Sequence, residues 1–272
     1  MPLDVPAGLA YFAVAFTARS GSNHLCNCLA ENGLGMPSEY FQYPTGVTNE
    51  VWYRELGVAT DDFPGYLRAL LAAKVRNGLF GMKLGWDHMN VLVEEARLRG
   101  EAVDDLADLF PGIRFVYLYR RDKVEQAISL WRAAHSGRWT SLDGPPLEPP
   151  EYDFLGIRHY LDSLLVDDYL WRDFLGTRDG ATYLAYEDFV ADPAGRLVEL
   201  SRFLDGRSRR LRRSSVRLGT TFEVQRDLRS AELKDRFMDD SRHIGVSHHW
   251  EGRHREFQIW SAFFEGAAWR ED

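Results

Sequence analysis

Residues 11–30 constrain the fold more than any other stretch of the chain. Tyr11-Phe-Ala-Val-Ala-Phe16 has no polar alternation, which predicts a parallel strand buried on both faces. The small polar turn Thr17-Ala-Arg-Ser-Gly-Ser22 follows, and beyond it Leu25, Cys28 and Leu29 recur at helical spacing. A strand, a turn of small residues and a helix N-terminus form an anion cradle. Backbone N–H groups and the positive end of the helix dipole converge on whatever sits in the turn. Gly21 permits close approach, Ser20 and Ser22 offer hydroxyl donors, and Arg19 adds a cation at the mouth. The expected ligand is a phosphate or sulfate group. The plainer alternative is a helix N-cap made by Ser20 or Ser22. A Walker-type loop needs a lysine after its second glycine, and none follows Gly21.

The chain has 272 residues, 45% of them apolar and 13% aromatic, so it can bury a sizeable core. Its net charge of −8 argues against bulk binding of nucleic acid or an anionic membrane. Any anion site must therefore be a local basic pocket. The two cysteines, Cys26 and Cys28, lie at i,i+2 on the first predicted helix, a spacing that suits neither C-x-x-C nor a disulfide. They read as small helix residues in a reducing compartment. Met1-Pro-Leu-Asp-Val-Pro6 lacks a basic run leading into an apolar one, and no apolar run nears 18 residues. The expectation is a cytoplasmic protein with no membrane insertion.

Helices are predicted over about 66–75, 90–99, 104–110, 157–175 and 193–204, with strands over 79–84, 113–119 and 181–186. Asp122 with Glu125 is a capping-box pattern that opens another helix, whose buried face is Val124, Ala127, Ile128, Trp131 and Ala134. Residues 136–151, with Gly137, Gly144 and four prolines, must be a loop. Two further helices are expected near 223–239 and 254–268, after the basic run Arg207 to Arg217. The alternation predicts one α/β domain built on a parallel sheet flanked by helices. A C-terminal helical extension over about 223–272 completes it.

A second anion site is suggested by Arg120-Arg-Asp122 at a strand's carboxyl end, with Ser129 on the next helix. Arginine supplies a charged fork and serine a neutral donor, which together can clamp one phosphate. Solvated end charges and a packed serine are the alternative. Two anion sites on neighbouring strands suit a nucleotide that is phosphorylated at both its 5′ and 3′ ends.

Here the chain resembles a known family. The loop at 17–25 is similar to the 5′-phosphosulfate loop of sulfotransferases, and the segment at 119–133 to their 3′-phosphate motif. Arg19-Ser-Gly-Ser22, Glu39-Tyr-Phe41, Gly81-Met-Lys-Leu-Gly-Trp86 and Gln126-Ala-Ile-Ser-Leu-Trp-Arg-Ala133, in that order, most resemble the Stf0 family. Tyr186-Glu-Asp-Phe189 with Asp192-Pro193 is similar to the wider superfamily. The resemblance implies a P-loop-like fold, 3′-phosphoadenosine 5′-phosphosulfate (PAPS) as donor and 3′,5′-adenosine bisphosphate as product. It also implies no required metal, and frequently a homodimer.

By that resemblance Glu39 is the base for a small-molecule hydroxyl acceptor. Arg19, Ser20, Gly21, Ser22 and Asn23 hold the 5′-phosphosulfate, and Arg120 and Ser129 hold the 3′-phosphate, with Arg121 the alternative fork. The cation at the leaving oxygen is open between Arg19, His24 and Lys83; an Asp87 partner for Lys83 is equally compatible. Tyr40, Phe41, Trp86, His88 and Trp131 are expected at the acceptor, a carbohydrate or a glycosylated or nucleoside natural product. The competing readings are a P-loop small-molecule kinase and a non-catalytic nucleotide-binding module. His243, His248, His249 and His254 match no standard zinc spacing, and Arg209 to Arg213 is a secondary expectation for covering the nucleotide.

Overall fold

The computed structural model describes residues 8–41, 50–98, 102–103, 105–139, 151–205, 211–218 and 228–243. The second of the two late helices (254–268), and His248, His249 and His254, lie outside them. In chain order the elements are β1 (Ala10–Phe16), α1 (Ser22–Glu31), α2 (Glu50–Leu56), α3 (Phe63–Lys74), β2 (Leu79–Leu84), α4 (Trp86–Leu98), α5 (Leu106–Leu109) and β3 (Arg114–Tyr119). There follow α6 (Lys123–Ser136), α7 (Phe154–Leu175), β4 (Ala181–Ala185), α8 (Tyr186–Ala191), α9 (Pro193–Asp205), a 3-10 turn at Arg213–Ser215, and α10 (Leu228–His243).

The chain sorts into two compact units, Met1–Tyr119 with Trp171–Thr221, and Arg120–Leu170 with Phe222–Asp272. The first unit holds a four-stranded sheet in the order β2-β1-β3-β4, every pair parallel. Alternate residues of each strand face different cores. Tyr11, Ala13, Ala15, Phe80, Met82, Leu84, Phe115 and Tyr117 join the apolar faces of α3 and α4 and the end of α7 at Trp171 and Leu175. Phe12, Val14, Leu79, Val116, Leu118 and Leu184 meet Leu25 and Leu29 of α1, Phe189 of α8 and Leu197 of α9. Both faces are covered, which is why these strands read as unbroken apolar runs. The parallel order brings the ends of all four strands to one edge, where β1 leads into the 17–21 turn and β2 into Gly85.

In the second unit, α6 buries Val124, Ala127, Ile128, Leu130, Trp131 and Ala133. Ala134, expected on that face, is exposed, because Leu130 and Ala133 place the stripe one residue earlier. Helix α10 lies against α6 through Arg132 Nη1 to Ser230 Oγ at 2.6 Å. Phe237 of α10 stacks on Phe154 with ring centroids 5.0 Å apart.

The expected start of one helix moves. Helix α4 begins at Trp86 rather than Asn90, directly off the strand, with Asp87 in its first turn where the dipole favours an acid. Helix α10 is described from Leu228, the expected residues 223–227 lying outside the described ones, and α8 was not foreseen as a helix of its own. Cys26 and Cys28 are free and buried, and burial pushes their thiols up to about 12 and about 11.

Candidate active site

The 17–21 turn is tightly folded. Ser20 N–H closes it onto the Thr17 carbonyl at 3.2 Å, and Arg19 and Gly21 both adopt left-handed φ, +64° and +86°. Gly21 is the N-cap of α1, and no side chain caps the helix. The first α-type bond is Leu25 N–H to the Gly21 carbonyl, so the N–H groups from Gly21 to His24 have no acceptor within the helix. Gly21 is required twice over. Its φ is left-handed, and a Cβ there would lie 2.4 Å from two ring carbons of Tyr186, the first residue of α8. Ser20 is fully buried, yet its Oγ meets no hydrogen-bond partner. A buried hydroxyl left unpaired costs on the order of 1–3 kcal/mol. A phosphate or sulfate oxygen in the cradle would satisfy it, so the residues present fit a 5′-phosphosulfate.

Beside the loop stands Lys83, one residue before the end of β2. Its neighbours Phe80, Met82 and Leu84 face the α3–α4 core, so Lys83 turns to the opposite face, toward α1. Its ammonium donates to Asn23 Oδ1 at 2.6 Å, lies 3.2 Å from Glu39 Oε1, and sits 4.3 Å from the Phe16 ring centroid. Lys83 is buried and Glu39 is about one-third exposed. The segment carrying Glu39 is pinned to β2, since Lys83 N–H donates to the Ser38 carbonyl at 2.9 Å. Trp52 Nε1 donates to the Glu39 carbonyl at 3.2 Å. Lys83 is therefore paired with Glu39, and Asp87 is exposed at the start of α4. Asn23, expected as a donor-site residue, gives its side-chain oxygen to Lys83 and so fixes the ammonium.

The other expected residues divide sharply. His24 packs edge-on to Phe189, centroids 5.2 Å apart, and burial lowers its pKa. Tyr40 and Phe41 are corrected from acceptor contacts to core residues: Tyr40 stacks on Phe80 and meets Trp52, and Phe41 meets Tyr66. Burial raises the Tyr40 phenol, which donates to the Met36 carbonyl. These two rings hold the Glu39 segment down from beneath. Trp131 is likewise corrected: it is buried in the second unit, on the apolar stripe of α6. Trp86 is half-buried and leans edge-on against Trp171 and Phe174. His88 is half-buried, with its ring 6.4 Å from Phe16, the ring that Lys83 also covers.

In the second unit the segment from Arg120, expected at a 3′-phosphate, is dense in paired charge. Arg120 Nη2 lies 3.4 Å from Glu125 Oε1. Asp122 caps α6 by accepting from Glu125 N–H at 2.9 Å, and it also accepts from the Lys234 ammonium of α10. Burial would raise the Asp122 carboxyl, but these bonds and the nearby Arg120 outweigh it and lower its pKa. Lys123 and Asp168 form an ion pair of 2.7 Å with both side chains buried. Arg121 is exposed and Ser129 half-buried. Sequence reasoning missed Lys234, Asp168 and the Tyr186–Gly21 approach, since each joins residues far apart in the chain and no local period marks them. Of the basic run, Arg213 is committed to a bidentate pair with Asp192 at 2.9 and 2.7 Å.

Comparison with known proteins gives a family match. The model of the Stf0 sulphotransferase family matches residues 10–240. A trehalose 2-sulfotransferase from Mycolicibacterium smegmatis is 27% identical over 194 residues, which is 60% of this chain and 71% of that one. The trehalose 2-sulfotransferase of Mycobacterium tuberculosis is 28% identical over 189 residues, 59% of this chain and 71% of that one. Among solved structures, a mouse sulfotransferase complexed with PAP aligns over 84% of this chain at 13% identity and a TM-score of 0.41. The alignment covers 64% of the mouse protein, just under two thirds of its length.

Proposed function

This chain belongs to the Stf0 sulphotransferase family, and from that premise we propose that it transfers a sulfuryl group from PAPS to a hydroxyl of a carbohydrate or related glycosylated or nucleoside natural product. The observation that carries the reading is the Glu39–Lys83–Asn23 chain, which ties a carboxylate to the first turn of the anion-binding helix. Bound in the cradle, PAPS supplies an activated sulfuryl group and a phosphate leaving group. Everything else falls to the chain's own residues.

Glu39 accepts the proton of the attacking hydroxyl through its carboxylate, a general-base role for which its partly exposed position beside Lys83 suits it. Lys83 holds that carboxylate oriented in the resting enzyme through their ion pair. Its third N–H is placed to meet negative charge that develops on the transferred group. Asn23 prevents the ammonium from swinging fully onto Glu39. The N–H groups at the start of α1, the Ser20 hydroxyl and Arg19 hold the 5′ end of the donor, while Arg120 and Ser129 are assigned its 3′-phosphate. Trehalose is the first acceptor to try, because two relatives at 27% and 28% identity carry that name.

The test is transfer of label from [35S]PAPS to trehalose and to a panel of free sugars and nucleosides. A labelled sulfate ester formed by the wild type and absent with Glu39→Gln supports the reading. Transfer of the γ-phosphoryl group of ATP with no sulfate ester would replace it with a kinase-like one.

A further inference from the structure

The β2–α4 junction contains a histidine whose protonation state is set by the backbone. Gly85 N–H points at His88 Nδ1 with 3.2 Å between the nitrogens. A backbone N–H can only donate, so Nδ1 must carry the lone pair. In the neutral ring the proton therefore sits on Nε2, and no other tautomer keeps the bond. Adding a proton to Nδ1 would set two N–H groups against each other.

Three charged groups bear on this ring: the carboxylates of Glu39 and Asp87 and the ammonium of Lys83. Burial, helped by Lys83, outweighs the two carboxylates and lowers the histidine's pKa below 6.5. Nothing among the described residues takes the Nε2 proton. The ring lies 6.4 Å from the Phe16 ring, over which Lys83, the partner of Glu39, also sits at 4.3 Å.

We infer that His88 is a neutral donor of fixed tautomer, which offers Nε2–H to a second oxygen of the acceptor while Glu39 deals with the reacting hydroxyl. This rests on the sulfuryl-transfer reading above and sharpens it: the site selects polyhydroxylated acceptors over simple alcohols. It also removes His88 as a rival base. A base needs a lone pair on the atom that faces the ligand, and here that lone pair is spent on Gly85. His88 is thus a specificity residue that binds the acceptor, and Glu39 alone takes the proton.

The deciding experiment is long-range 15N–1H correlation on 15N-labelled wild-type protein at pH 7, with the signal missing from His88→Gln assigned to His88. A neutral ring protonated at Nε2 is expected. A ring protonated at Nδ1, or an imidazolium, overturns the inference. A second arm measures 3′,5′-adenosine bisphosphate binding by calorimetry and sulfation of trehalose for wild type, His88→Gln and His88→Leu. All three should bind the bisphosphate equally. Glutamine keeps a donor and leucine does not, so the acceptor KM should rise by about 3- to 10-fold in His88→Leu and by less in His88→Gln, with kcat falling far less in either than loss of a base would cause. A kcat collapse in His88→Gln with intact bisphosphate binding would make His88 the base and sink the proposal. If the wild type binds no bisphosphate, the donor reading fails instead, and the tautomer result still stands on its own.

Discussion

The 17–21 loop and the start of α6 both come from a strand's carboxyl end, and both were read from the sequence as anion sites. The structure makes them physically unlike. The loop is under-satisfied: a buried Ser20 hydroxyl without a partner, an uncapped helix and a glycine wedged against Tyr186. The start of α6 is rich in pairs: Arg120 with Glu125, Asp122 with Lys234 and Lys123 with Asp168. The first region offers an unpaired hydroxyl and free helix N–H groups to an anion. The second holds its cations on internal carboxylates, so a phosphate there has to compete with Glu125 for Arg120. Donor affinity should therefore come mainly from the loop, and discrimination of the 3′ end from the trade at Arg120.

Breaking the two regions should give effects of different kinds. The largest is chemical. Glu39→Gln should lower kcat by roughly 10²- to 10⁴-fold while leaving bisphosphate affinity unchanged, because it removes the base and spares the cradle. The next is structural. Lys123→Met removes the buried ammonium that faces the Asp168 carboxylate and should cost about 3–5 kcal/mol in chemical denaturation, whereas Lys123→Met combined with Asp168→Leu should recover most of it. If the single and double variants are equally destabilised, the pair is not what holds α6.

Arg120→Ala should weaken 3′,5′-adenosine bisphosphate by roughly 10- to 100-fold, the range of a charge-assisted bond, and leave affinity for 5′-AMP nearly unchanged. Glu125→Gln should instead tighten the bisphosphate by a few-fold, since Arg120 loses its competitor. Equal loss of both nucleotides in Arg120→Ala would mean that the residue shapes the unit rather than grips a phosphate.

The smallest effect is on pH. The folded protein holds His88 below its ordinary value of 6.5, so the unfolded chain binds the extra proton first as pH falls. This contribution to stability is complete above pH 6.5 and fades as pH drops through the lowered value. His88→Gln should accordingly show a shallower loss of denaturation midpoint between pH 6.5 and 5 than the wild type.

Much of this was legible in the sequence, for identifiable reasons. Strands β1 and β3 announced themselves because a doubly covered strand has no polar face to interrupt it. The loop was legible because strand, small residues and helix are contiguous, whereas Glu39 was marked by the family resemblance alone. Long-range pairing was not legible. Nothing local says that Lys83 reaches Asn23, or that Tyr186 forbids a side chain at Gly21. Aromatic residues misled for the opposite reason: Tyr40, Phe41 and Trp131 are equally suited to stacking on a sugar and to filling a core, and here they fill the core.

The central claim is that the cradle binds the two-phosphate product of a sulfuryl donor. Calorimetric titration of the wild-type chain with 3′,5′-adenosine bisphosphate, set against ATP with Mg²⁺, tests it most directly. The account predicts saturable one-site binding of the bisphosphate, weakened by Arg120→Ala, and much weaker binding of ATP. Tight binding of ATP with Mg²⁺ and none of the bisphosphate would contradict it.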